Sequence, residues 1–244
     1  MTKLSIIIPT YNEGQYIEKL LESIEKQDFK DYEVIISDSK STDSTIAIAK
    51  KYGVKTIIGP KKGPGYARNL AVKSAKGEVL LFLDADVILP KNDTLSKVIH
   101  AIDKENCVGG TSTFKALDGT RRAKMIFRLA SKLISFLYLI KKPICAPGFF
   151  IFSRKDIFDK VNGFDDALYI AEDHDFVSRI RKYGKMKLLK EDILVSARRV
   201  KSGGIKTILK DLNNTILLFL HGKEYIKKKN IKILSVNDLE GSYK

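Results

Sequence analysis

Cysteine is nearly absent from this 244-residue chain: Cys107 and Cys145 stand far apart, with no neighbouring Cys or His at metal-ligand spacing. That excludes a disulfide framework and a zinc site, and it suits a reducing compartment. Long hydrophobic runs are missing too. The N-terminal MTKLSIIIPTYNE has an apolar stretch of only about five residues before Pro9, too short for the core of a signal peptide. Residues 133–140, broken by one serine, fall far short of the roughly 20 residues needed to span a bilayer. No internal repeat, low-complexity tract or linker composition interrupts the first 200 residues or so. With 44% hydrophobic residues, the chain can bury one sizeable core, and disorder is not expected.

Charge is plentiful and unevenly placed. The net charge is +15, yet residues 1–120 hold 17 Lys and Arg against 16 Asp and Glu, and residues 121–244 hold 27 against 13. The excess in the second half implies an anionic partner, either phosphate, nucleic acid or an acidic lipid surface.

Short apolar or β-branched runs at residues 4–8, 34–37, 55–58 and 79–83 alternate with stretches of helical spacing, the pattern of an α/β protein with a mostly parallel sheet. Ile17, Leu20, Leu21 and Ile24 form the apolar stripe of a first crossover helix. Thr42, Asp43 and Ser44 offer cap chemistry for a second helix carrying Ile46, Ala47, Ile48 and Ala49. Ligands of open α/β sheets bind beyond the carboxyl ends of the strands. Here those ends read Pro9-Thr10-Tyr11-Asn12-Glu13, Ser37-Asp38-Ser39 and Asp84-Ala85-Asp86.

The most informative of these is LLFLDADVILP, an apolar strand that ends in two carboxylates. Paired acids are costly without a nearby cation. A divalent cation, Mg²⁺ or Mn²⁺, suits them, because hard cations are held by one or two carboxylates plus substrate phosphates. A solvated strand-to-loop junction satisfies the tripeptide equally well.

SIIIPTYNE, VIISDSKSTDST and GPGYARNLAVKSAKGEVLLFLDAD, in that order over most of residues 4–90, resemble the donor-binding half of family 2 glycosyltransferases, enzymes of the GT-A fold. The resemblance implies a nucleotide diphosphate sugar as donor. Pro9, Tyr11 and Glu13 would then border the nucleoside and Asp38 would face the base. Gly65, Ala67, Arg68 and Asn69 would approach the donor, with Arg68 steadying acids near the diphosphate. Asp84 and the intervening Ala85 would lie on the ribose side, with Asp86 the principal metal ligand. Pro9 and Gly65 also suit plain turn formation. The second segment departs from the family pattern: Ser39, Lys40 and Ser41 stand where a second acid and a glycine are usual, which leaves the base contacts open.

GFFIFSRKDIFDKVNGFDDALYIAEDHDFVSRIRKYGK resembles the acceptor side of the same family. The resemblance implies Gly148 and Phe149 near acceptor or phosphate and Asp173 as the general base, with Glu172 the second choice. The imidazole of His174 is a secondary metal candidate on its chemistry alone, and a lone histidine between acids is more often simply hydrogen-bonded. Inversion at the anomeric carbon follows from one base on the face opposite the leaving diphosphate. Acids in the first turn of a helix also satisfy its dipole without any catalytic role. Arg198 and Arg199, after a short apolar strand at 193–195, can clamp a phosphate or simply lie on a basic loop.

Residues 121–142 carry seven basic residues and no acid, with Met125, Ile126, Leu129, Leu133, Phe136, Leu137 and Ile140 at helical spacing. Residues 198–232 repeat the theme, with ten basic residues against Asp211 and Glu224. Such segments either lie on an anionic membrane or pack against a core with their basic faces outward. The expected organisation is a GT-A domain over residues 1–200, its donor half at 1–115 and acceptor half at 143–200, followed by a basic segment at 201–244. The acceptor expected is a lipid-linked saccharide, with polyprenyl phosphate the alternative, and the location is the inner, cytoplasmic face of the cell membrane. An isoelectric point near 9.6 also permits a nucleic-acid partner. Against that, the basic segments carry apolar stripes and the acidic strand ends repel a phosphate backbone. A catalytically dead scaffold is disfavoured by the presence of Asp84, Asp86 and Asp173.

Overall fold

The computed structural model describes residues 2–139, 146–168 and 171–198. The four expected strands are present, the first two slightly longer than expected and the other two with the expected bounds: β1 Leu4–Thr10, β2 Tyr32–Asp38, β3 Lys55–Ile58 and β4 Val79–Leu83. They continue through β5 Val87–Ile88, β6 Cys107–Ala116, β7 Phe150–Arg154 and β8 Lys185–Val195 into one eight-stranded sheet of order β3-β2-β1-β4-β7-β6-β8-β5. The first four strands pair in parallel, whereas β7 runs antiparallel to both β4 and β6. β8 is parallel to β6, and its last residues pair antiparallel with β5, so that Val87 faces Val195. The end of β8 therefore arrives beside Asp86.

Two apolar layers follow from the two-residue period of the strands. Leu4, Ile6 and Ile8 of β1 point to one face, where they meet α1 (Ile17–Glu25), α4 (Thr94–Asp103) and α5 (Arg121–Leu139). Ile7 points the other way, towards α3 (Pro64–Val72), α6 (Lys155–Lys160) and α7 (Glu172–Ile180). On that second face Phe82, Phe158, Phe164 and Phe176 form a ring cluster, the closest pair of centroids, Phe164 and Phe176, being 4.4 Å apart. The cluster anchors α7, and with it the acidic residues of its first turn.

All four residues of the expected α1 stripe are buried. At α2 (Thr45–Lys51) the Ser44 side chain makes no cap bond. Asp43 supplies the acceptor instead, its Oδ1 taking the Thr45 N–H at 3.0 Å while Oδ2 takes that of Gly14 at 2.9 Å. The short strand expected at 193–195 is the end of the eleven-residue β8.

α5 settles which way its residues point. Ala123, Ser131 and Ile134 are buried, with Phe127, Ala130 and Tyr138 packed beside the core. Met125, Leu129, Leu133 and Phe136 are more than half exposed, and Leu139 is 78% exposed. The stripe picked out by sequence periodicity is thus mostly the outer one, and a second, less apolar seam holds the helix down. Among the described residues no helix is long and apolar enough to cross a membrane.

Candidate active site

Three acids gather where the parallel strands end. Glu13 follows β1, and its carbonyl accepts the Tyr16 and Ile17 N–H groups at 2.9 Å each, opening α1. Its carboxylate is buried and received in a fork by Arg198, whose Nη1 and Nη2 donate to Oε2 and Oε1 at 2.8 and 2.7 Å. Burial pushes the Glu13 carboxyl up to about 7; Asp86 and Asp84 add to the rise and Arg198 opposes it. Asp86, which is also buried, has its Oδ2 2.9 Å from Nε of the same Arg198, an ion-pair contact rather than an aligned hydrogen bond. The backbone carbonyl of Asp86 accepts the Ser196 N–H at 3.1 Å, which fixes β8 against the acidic turn. Ala85 between the two aspartates is buried in the core.

Asp84 belongs to a second network. Arg68 of α3, among the largest fully buried side chains, donates from Nη2 to Asp84 Oδ1 at 2.8 Å and to the Gly148 carbonyl at 3.1 Å. Its Nη1 donates to Glu172 Oε1 at 2.9 Å. Burial favours a neutral guanidinium, but Asp84, Glu172 and Asp173 outweigh it and hold the group above the usual arginine value. Glu172 is pushed up to about 7 by burial and by Asp173, with Arg68 pulling the other way.

Gly148 links this network to Asp173. Its N–H donates to Asp173 Oδ2 at 2.7 Å, while Asp173 Oδ1 accepts the His174 N–H at 2.8 Å. A Cβ at position 148 would stand 3.0 Å from Asp173 Oδ2 and 3.1 Å from Arg68 Nη2, so a side chain there would have to push both groups aside by a few tenths of an ångström. Both Asp173 oxygens are held by backbone donors, and the side chain keeps 17% of its surface open. The Phe149 carbonyl faces the Asp84 N–H at 3.4 Å, and the Phe149 ring packs edge-on against Phe114.

Gly65 lies buried in α3, where a Cβ would press within 3.2 Å of the Glu172 side chain; close approach of α3 to α7 accounts for it. Asn69 ties α3 to the Phe164 carbonyl at 2.8 Å. Asp38, 1% exposed, spends its carboxylate on the turn itself, accepting the Thr10 hydroxyl at 2.8 Å and the Ser41 N–H at 2.7 Å. Lys40 is exposed, with a φ of 65°. Pro9 stands opposite Ser37, one residue before the β1 pairing ends at Thr10 and Asp38, and Lys61 Nζ lies 3.7 Å from the centre of the Tyr11 ring. Arg199 lies outside the described residues. So does nearly all of the second basic segment.

Hard carboxylate oxygens at Asp86 and Asp84 suit Mg²⁺ or Mn²⁺ completed by donor phosphates. No group of three or more His, Cys, Asp or Glu side chains among the described residues forms a metal cage by itself. His174 Nε2 instead lies 3.9 Å from Asp173 Oδ1.

Both the sequence and the fold match known proteins. Residues 5–159 match the model of glycosyl transferase family 2. The chain belongs to that family. It is 35% identical over 145 residues to the poly(ribitol-phosphate) beta-N-acetylglucosaminyltransferase TarS of Staphylococcus aureus, covering 56% of this chain and 25% of the relative. It is 39% identical over 93 residues to a Campylobacter jejuni GalNAc(5)-diNAcBac-PP-undecaprenol beta-1,3-glucosyltransferase, covering 35% of this chain and 30% of that protein. The chain thus spans about a quarter to a third of these relatives' length. The crystal structure of S. aureus TarS 1–349 with UDP superposes with a TM-score of 0.65 at 25% identity, over 90% of this chain and 72% of that one. The Pyrobaculum calidifontis mannosyltransferase PcManGT with GDP-Man and Mn²⁺ gives 0.61 at 19% identity, over 86% and 64%. The GT-A fold expected from the sequence is the fold observed.

Proposed function

We propose that this chain is an inverting glycosyltransferase that moves a sugar from a nucleotide diphosphate donor to a hydroxyl of a lipid-linked saccharide at an anionic membrane surface. One observation carries the reading. The buried Arg68 guanidinium joins Asp84, at the donor strand ends, to Glu172 and Gly148, and Gly148 in turn holds Asp173. A donor-side acid and a candidate base are thereby fixed in one rigid frame, which positioned acid-base chemistry requires.

In this reading Asp173 accepts the proton of the acceptor hydroxyl as its oxygen bonds to the anomeric carbon and the bond to the diphosphate breaks. Attack opposite the leaving group inverts the configuration. The backbone donors on both Asp173 oxygens orient the carboxylate, and Arg68 keeps Glu172 and Asp84 from drifting apart. Asp86 and Asp84 would hold the divalent cation, which when bound neutralises charge gathering on the departing nucleoside diphosphate. A lipid-linked acceptor is supported by the C. jejuni relative, whose name specifies an undecaprenol-linked saccharide, and by the outer face of α5. That face carries Met125, Leu129, Leu133 and Phe136 beside Arg121, Arg122, Lys124, Arg128 and Lys132, with no acid on the helix.

The test is transfer from UDP- and GDP-sugars to lipid-linked saccharides and to bare polyprenyl phosphate, with Mn²⁺, Mg²⁺ or excess EDTA. Asp173→Asn should lower turnover by at least about 10²-fold, the usual scale for a positioned base, while donor affinity stays close to wild type. Undiminished transfer by that variant would remove Asp173 from the mechanism. Undiminished transfer in EDTA would remove the cation.

A further inference from the structure

Arg198 takes no part in the chemistry above, yet it is held at four points. Its fork grips both Glu13 oxygens at 2.8 and 2.7 Å, its Nε stands 2.9 Å from Asp86 Oδ2, and its guanidinium carbon lies 4.6 Å from the centre of the Tyr16 ring. The Arg198 side chain is 16% exposed and its two acidic partners are less than half as exposed. A planar fork on a carboxylate, stacked on an aromatic ring, is a geometry that arginine sustains and lysine does not.

The acid that Arg198 touches with Nε is the one assigned as principal cation ligand. A guanidinium at Asp86 and a divalent cation at Asp86 draw on the same negative charge and repel each other at close range in a poorly solvated pocket. Glu13 gives the arginine a separate seat from which it need not move far to release Asp86. We propose that Arg198 is the resident counter-cation of the donor-free pocket, and that a divalent cation enters in competition with it at Asp86. This rests on the reading of Asp86 as a cation ligand. Its consequence is that the free protein binds the metal poorly. The cation becomes firmly held only when donor phosphates supply the negative charge that Arg198 would otherwise neutralise.

Mn²⁺ alone, without nucleotide, is the probe, and the intensity of its free electron-paramagnetic-resonance signal during titration of the full chain is the readout. Arg198→Gln should bind Mn²⁺ at least about tenfold more tightly than wild type. The gain should vanish when Asp86→Asn is added. Because Arg198→Gln leaves Glu13 buried without its partner and can fail to fold, Glu13→Gln with Arg198→Gln is measured beside it, so that no unpaired charge is left in the pocket at Glu13. That double variant should show the same gain. Mn²⁺ affinity unchanged or lowered in every folded variant lacking Arg198 would overturn the competition. If Asp86→Asn leaves Mn²⁺ binding untouched in all backgrounds, the ligand assignment fails instead, and the two failures are distinguishable.

Discussion

Arg68 Nη1 and Glu172 Oε1 meet at 2.9 Å although 104 residues separate them, and both side chains are almost wholly buried. The pair is the junction between the half of the fold that ends in Asp84 and the half that carries Asp173. Arg68→Met should therefore be costly in two ways. It strands a buried glutamate, a loss of roughly 3–5 kcal/mol for a broken buried pair, and it removes the donor that fixes the Gly148 carbonyl. Arg68→Lys should recover only part of the stability, because one ammonium cannot serve Asp84, Glu172 and Gly148 in the plane that the guanidinium spans. Urea unfolding of both variants checks this. Near-wild-type stability in Arg68→Met would show that the network is ornamental to folding.

Glu172 gives a pH signature. Its carboxyl is pushed up to about 7 by burial and by Asp173, against an ordinary 4.5. The folded protein thus binds this proton more tightly than the unfolded chain does. The resulting contribution is full below about 4.5 and is lost as pH rises through about 7. Glu172→Gln abolishes the titration whatever constant offset it introduces. The stability difference, wild type minus variant, should therefore shrink between pH 4.5 and pH 8. Urea midpoints across that range measure it, and a difference independent of pH would contradict the raised value.

Lys40 sits at a φ of 65° in the turn after β2, a left-handed conformation that costs an L-residue roughly 1–2 kcal/mol and glycine almost nothing. This is where the family pattern has its glycine and this sequence does not. After allowing for the greater chain entropy of glycine, Lys40→Gly should stabilise the protein by about 0.5–1 kcal/mol. Lys40→Val should destabilise it, since a β-branched residue is a true outlier at that backbone angle. A lower unfolding midpoint for Lys40→Gly would mean that the lysine makes a contact worth more than the strain.

What the sequence made legible was local. The apolar runs of β1 to β4 and the stripe Ile17, Leu20, Leu21 and Ile24 announce themselves by period, and Asp84 and Asp86 by their place after a run of leucines. β6 does not, because CVGGTSTFKA has neither an apolar run nor clean alternation; it is a strand because Gly109 and Gly110 pair with Ser153 and Phe152 of a distant segment. The Glu13 and Arg198 pairing spans 185 residues and depends on β8 folding back onto β5, which no spacing reveals. Arg198 was nameable as a basic residue after a strand, its partner was not. Asp38 was legible as a strand-end acid, but its occupation by Thr10 and Ser41 depends on the turn conformation.

The orientation of α5 supports the last prediction. Helical spacing marked an apolar stripe but left both of its uses open. The structure divides the helix between an inward seam at Ala123, Ser131 and Ile134 and an outward one at Met125, Leu129, Leu133 and Phe136. Ile134→Ser should unfold the protein or weaken it by a few kcal/mol, as burying a hydroxyl in place of a large apolar side chain does. Replacing Leu129, Leu133 and Phe136 together by Ser should leave the urea midpoint nearly unchanged, since half-exposed side chains give up little burial. If the outward seam rests on lipid, with the basic residues of the same helix drawn to an anionic surface, the triple variant should lose sedimentation with anionic vesicles. Wild type should be released from those vesicles by high salt and ignore neutral ones at equal salt. A triple variant that stays folded and still sediments would remove α5 as the membrane contact; one that unfolds would show that the outward seam is covered by protein.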